Sequence, residues 1–190
     1  MKKCIRNKNF ILNCSLKVNC ILALFLFAGG LASYAQDKTA AEYQVKAIFL
    51  YNFTQFIDWP ETAFNKPDDP FVIGIIGDDP FGSYLDEAIA GEKIGNHPIK
   101  VKRFNDLRKI SGCHMLYINS SDEDWVGSIL TLVSGKNILT VGDAPSFNKW
   151  GGIIRFYNEE NKIRLQINVA GSKAAQLSIS SKLLSVAKTN

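Results

Sequence analysis

Histidine and cysteine are scarce in this sequence. There are two histidines, His97 and His114, and four cysteines, of which Cys4, Cys14 and Cys20 fall in the first twenty residues. His97 has no cysteine or acid at metal-ligand spacing, which excludes a zinc site of the usual kind. Beyond the first twenty residues Cys113 is the only thiol, which excludes an intrachain disulfide there. Neither a G-x-G-x-x-G nor a P-loop pattern occurs, and there is no nucleophile elbow or paired-carboxylate signature. No apolar run approaches the roughly 20 residues that a bilayer span needs. There is no internal repeat and no low-complexity segment. So thin a stock of chemistry points to a binding protein, with no metal or cofactor expected.

Acid is also missing, entirely, from Met1 to Ala35, where Lys2, Lys3, Arg6, Lys8 and Lys17 precede an apolar run at Ile21–Ala28 and a small-x-small end, Ser33-Tyr34-Ala35. That is the form of a cleavable secretory signal, with an apolar stretch too short for a membrane anchor. Cys20 precedes the run, whereas a lipidated cysteine would follow it. Removing the segment takes five basic residues and no acids from 22 Lys+Arg and 18 Asp+Glu, leaving 17 against 18, a net charge of −1. The basic balance therefore belongs to the leader, and nucleic acid is not an expected partner. Residues 36–190 have the size of one domain with a sizeable core, and the expected location is the periplasm.

The stretch from Glu42 to Pro60 carries Tyr43, Val45, Ala47, Ile48, Phe49, Leu50, Tyr51, Phe53, Phe56 and Ile57, spread almost around a helical wheel. It predicts a central helix, buried on most of its circumference and stopped by Pro60. Phe71–Ile76, Ile99–Lys102, His114–Ile118 and Ile138–Val141 read as strands. Helical patterns at Ser83–Ala90 and from Ser121 or Asp122 to Val133 lie between them, with a helical turn at Asn105–Ile110. Gly152–Tyr157 and Lys162–Asn168 alternate around a polar turn and read as an antiparallel hairpin. Ser181–Lys188 reads as a closing helix. The expectation is an α/β fold: a mostly parallel sheet of five to seven strands, flanked by helices, with a C-terminal antiparallel β-hairpin.

Candidate chemistry gathers where strands end. Gly74, Gly77, Asp78, Asp79, Pro80 and Gly82 occupy a strand-to-helix turn whose backbone N–H groups can hold an anion, although two aspartates oppose a phosphate. A small-ligand site at Gly77, Asp78, Asp79 and Gly82 is the alternative functional reading, set against turn formation and capping. Asp78, Asp79, Asn119 and Asp143 all follow strands, an arrangement that can hold Mg²⁺, but Asn119 stands where a phosphoryl-accepting aspartate would be needed. Cys113 and His114 resemble a nucleophile and its base. On one strand their side chains point to opposite faces, so they cannot pair. Burial at the mouth of a strand predicts a raised thiol pKa and slow thiolate chemistry.

EYQVKAIFLYNFTQFIDWP, FVIGIIGDDPFGSYL, CHMLYIN, NILTVGDAPSF, GGIIRFY and RLQINVAGSKAAQLSISSKLLSVAK follow one another in an order that resembles the YfiR-like family of periplasmic proteins. The residues that carry the resemblance are Tyr43, Lys46, Tyr51, Asn52, Phe53, Trp59, Pro60, Cys113, His114, Gly151, Gly152 and Asn168. It implies a non-enzymatic α/β repressor of a membrane signalling protein, a diguanylate cyclase of the cyclic-di-GMP system or a sensor kinase, engaged through its periplasmic part. It also implies a second envelope protein that releases the repressor, and leaves a homodimer open. Redox control through disulfides is not carried over, because Cys113 has no partner thiol.

Overall fold

The computed structural model describes residues 39–189. The expected leader, residues 1–35, lies outside them. The chain divides into two units, Met1–Ala41 and Glu42–Asn190, and the second holds the fold. Helix α1 covers residues 39–56. It ends before Pro60 because Ile57–Asp58 (β1) pairs antiparallel with Ser178–Ile179 far along the chain. Phe71–Gly77 (β2), Tyr84–Ala88 (α2), Lys93–Ile94 (β3), His97–Phe104 (β4), Met115–Asn119 (β5), Glu123–Val133 (α3) and Leu139–Gly142 (β6) follow. Next come Ile154–Glu159 (β7), Lys162–Ile167 (β8), Val169–Ala174 (α4), Ser178–Ile179 (β9), Ser181–Ser185 (α5) and Lys188–Thr189 (β10).

The main sheet has eight strands in the order β10-β8-β7-β6-β5-β2-β4-β3. β4, β2, β5, β6 and β7 run parallel to one another, β3 pairs antiparallel with β4, β7 and β8 form the antiparallel hairpin, and β10 returns parallel to β8. Glu160 and Asn161 close the hairpin with φ of 51° and 58°, the backbone that a two-residue turn between twisted strands requires. The count exceeds the expected five to seven because β3 and β10 are two-residue edge strands with no pattern of their own. The closing helix stops at Ser185, and the chain then joins the sheet. α4, which the sequence did not announce, starts where Asn168 Oδ1 accepts the Gly171 N–H at 2.8 Å.

Alternation along the central strands separates two apolar layers. Ile73 and Ile75 of β2 and Met115 and Tyr117 of β5 meet Ala47, Leu50 and Phe53 of α1 on one face. Ile76, Leu116 and Ile118 meet Val126, Ile129, Leu130 and Val133 of α3 on the other. Burying a side chain such as Phe53 contributes about 2–3 kcal/mol.

The expectation that α1 is buried nearly all round is corrected. Ile48 is 54 %, Val45 44 % and Phe56 37 % exposed. The sheet offers α1 one flat face, and among the described residues no element covers its outer side.

Candidate functional site

The Gly77–Gly82 turn is bonded to side chains of β4 and β5. Gly77 has φ +89°, and a Cβ there would lie 1.9 Å from the Asn119 carbonyl, so β2 and β5 close to a separation that only glycine permits. Asn119 Nδ2 donates to the Asp78 carbonyl at 2.9 Å. Asp79 Oδ1 accepts the Phe81 N–H at 2.8 Å, and its Oδ2 accepts Arg103 Nε at 2.6 Å. Arg103 also reaches Asp86 at 2.6 Å and the Gly82 carbonyl at 3.0 Å. The Asp86 and Asp79 carboxylates hold its guanidinium above its ordinary range. These bonds engage the Asp79 carboxylate and the Asp78 and Gly82 carbonyls. Among the described residues, no three His, Cys, Asp or Glu side chains converge.

The fourth acid of the strand-end set, Asp143, turns to α1 instead. Lys46 Nζ lies 2.7 Å from Asp143 Oδ2 and 2.6 Å from Glu42 Oε1, and Tyr117 donates its hydroxyl to the same Asp143 oxygen at 3.0 Å. The Lys46 side chain is 5 % exposed. Burial alone would lower its pKa, but Asp143 and Glu42 outweigh that and raise it. Burial, reinforced by Asp143, pushes the Tyr117 phenol far up, so it stays a proton donor. The Lys46 ammonium stands 4.5 Å over the Tyr43 ring, which packs edge-on against Phe81. A lysine set among apolar helix residues was the sequence signal for this cluster, but its partner was not legible.

Cys113 and His114 do face opposite sides. Cys113 is buried in the α3 layer, and burial pushes its thiol up to about 11. His114 lies on the α1 side between Phe64 and Phe71, with ring centroids 4.4 and 5.0 Å away. Trp59 Nε1–H donates to the His114 carbonyl at 2.9 Å, and Pro60 opens the 3₁₀ turn Glu61–Ala63 that carries Phe64 inward.

Tyr51 donates to Glu92 at 2.7 Å, Phe53 stacks on Phe156 at 5.9 Å, and Asn52 is half-buried. Gly151 ends the 3₁₀ turn Phe147–Trp150 at φ +93°. A Cβ on Gly152 would meet the Phe147 ring at 2.3 Å. With Asn168 capping α4, these residues fix how the chain enters β7 and leaves β8. What sequence reasoning missed is the outer face of α1: Gln44, Val45, Ile48, Gln55 and Phe56 are exposed, and none is charged.

A family model described as YfiR/HmsC-like matches residues 43–188. The chain belongs to the YfiR/HmsC-like family. The match begins at Tyr43, inside α1, and runs to the first residue of β10, so it takes in the sheet, both apolar layers and every motif residue above. This YfiR/HmsC-like family is regulatory and non-catalytic, and its members are periplasmic. A search of curated proteins returns no significant match. A crystal structure of a conserved domain protein from Vibrio cholerae O1 biovar El Tor is similar over 62 % of this chain, at 11 % identity and a TM-score of 0.45. The aligned part spans 54 % of that protein. Among the described residues, no helix is long and apolar enough to cross a membrane.

Proposed function

We propose that this chain is a non-enzymatic periplasmic protein that binds and inhibits the periplasmic sensor part of a membrane signalling protein, a diguanylate cyclase or a sensor kinase. The observation that carries this reading is the outer face of α1. Val45, Ile48 and Phe56 remain exposed on a helix whose inner face is fully packed, and Gln44, Asn52 and Gln55 beside them bring no charge. Such a face suits a partner surface of the same apolar character. Membership of a regulatory family supports it. We further propose that the chain is exported and cleaved near Ala35, leaving one domain over residues 36–190.

The test is genetic. Deleting the gene should raise cyclic-di-GMP or alter kinase output, and the intact gene should restore it. A copy carrying Ile48→Glu and Phe56→Glu should fold, reach the periplasm and fail to restore it. Unchanged signalling after deletion would sink the reading. Intact mass from the periplasmic fraction checks the cleavage.

A further inference from the structure

Four rings form one column at the N-terminal ends of three adjacent strands. His97 at the start of β4, Phe64, His114 just before β5 and Phe71 at the start of β2 follow one another at 3.8, 4.4 and 5.0 Å between centroids. Their interplanar angles are 15°, 22° and 24°. Phe64 alone of the four comes from segment 61–70, and the column packs that segment on the sheet beside its Ala63–His114 and Asp69–His97 hydrogen bonds. Beside it is a cavity of about 600 Å³ lined by Trp59, Phe64, Lys66, Asn96 and His97, among others.

The two histidines are held differently. His114 Nδ1 accepts the Val72 N–H at 3.1 Å, so its proton sits on Nε2, which donates to the Ala63 carbonyl at 3.0 Å. Both ring nitrogens are committed, and the ring is fixed in its neutral form. His97 Nδ1 donates to the Asp69 carbonyl at 2.6 Å.

We propose that segment 61–70 is a proton-operated strap, held down by neutral His114 and released when His114 Nδ1 takes a proton from solvent. The new Nδ1–H would confront the Val72 N–H, two donors face to face, so the ring must leave its place. The Ala63 bond and the Phe64 sandwich leave with it. Release exposes Phe64 and opens the cavity under it. The charged and titratable groups around His114 are few. His97 stands one ring away, and its proton opposes a second on His114, whereas Asp69 at the far end of the strap favours one. Glu61, Lys66 and Asp68 on the strap are exposed to solvent, and Trp59, Phe71 and Val72 bring no charge. Burial lowers the His114 pKa, so the strap is closed at neutral pH and opens in acid. The device works whatever partner the outer face of α1 binds.

Two histidines give two imidazole Cε1–H resonances, so a proton NMR titration of the chain reads both groups directly. Hydrogen exchange read out by mass spectrometry then follows residues 61–70. Between pH 7.5 and 5, protection of 61–70, corrected for intrinsic rates, should fall as His114 titrates, by up to about tenfold per pH unit, the limit for one proton. The rest of the sheet should stay protected. His114→Gln keeps an acceptor for Val72 and a donor for Ala63 but cannot titrate, and its strap should stay closed throughout. His97→Asn should still open. Three outcomes would overturn the proposal: a His114 resonance that titrates only when the whole chain unfolds, strap opening that persists in His114→Gln, or opening that vanishes in His97→Asn. If His114→Gln does not fold, the wild-type titration and exchange data decide alone.

Discussion

Lys46 Nζ and Asp143 Oδ2 lie 2.7 Å apart although the residues are 97 positions apart in sequence, and their contact ties α1 to the C-terminal end of β6. Glu42 supplies a second carboxylate from one turn earlier on the same helix. Lys46→Met removes the cation that bridges two carboxylates, each about three-quarters buried. We expect a loss of about 2–4 kcal/mol in urea unfolding. Adding Asp143→Asn should recover part of it, because the amide oxygen still accepts from Tyr117. A double-mutant cycle with a coupling energy below about 0.5 kcal/mol would show that the pair does not hold the helix.

Gly77 and Gly82 both have positive φ but different surroundings. At Gly82 no atom lies within 4 Å of an added Cβ, so Gly82→Ala should cost only left-handed strain, about 1–2 kcal/mol. At Gly77 the Asn119 carbonyl blocks the Cβ, and Gly77→Ala should cost about 3 kcal/mol or more, or prevent folding. Thermal unfolding ranks the two. Equal costs would contradict the close approach of β2 and β5.

Cys113 should behave as a packing residue. With its thiol pushed up to about 11, almost none is thiolate at pH 8, and alkylation should be slow until denaturant is added. Cys113→Ser should cost about 1 kcal/mol and leave signalling control intact. A dominant disulfide-linked dimer on non-reducing gels of fresh periplasm would refute this.

The two faces of α1 should separate stability from function. Phe53→Ala empties a fully buried site and should cost about 3–5 kcal/mol. Ile48→Glu touches an exposed position and should change stability by no more than about 0.5 kcal/mol while abolishing partner capture. A pull-down with the two variants, read beside their melting curves, checks both halves.

Global stability should fall in mild acid through His114. Its folded-state pKa is lowered by burial, so between that value and the ordinary 6.5 the unfolded chain binds a proton that the folded chain does not. The contribution is complete above pH 6.5 and is lost as pH falls towards the folded value. Urea midpoints between pH 7.5 and 5 should slope accordingly, and His114→Gln should flatten the slope.

Short apolar runs closed by Gly, Asp and Pro, or by Asn and Ser, made β2, β5 and β6 legible in the sequence, because strand propensity and turn chemistry act within a few residues. The same locality gave α3 with its Asp122 cap and the β7–β8 hairpin. Opposite faces for Cys113 and His114 followed from strand period alone. What tertiary structure decided are the choices of partner. The apolar residues of α1 cannot say by themselves that the sheet will leave Val45, Ile48 and Phe56 uncovered. Lys46 does not name Asp143, and Phe64 in a polar loop does not announce two histidines on either side. β1, β3, β9 and β10 are two residues each and exist only because another strand lies beside them. These features depend on residues far apart meeting in one place, and a local pattern holds no record of which distant residue arrives.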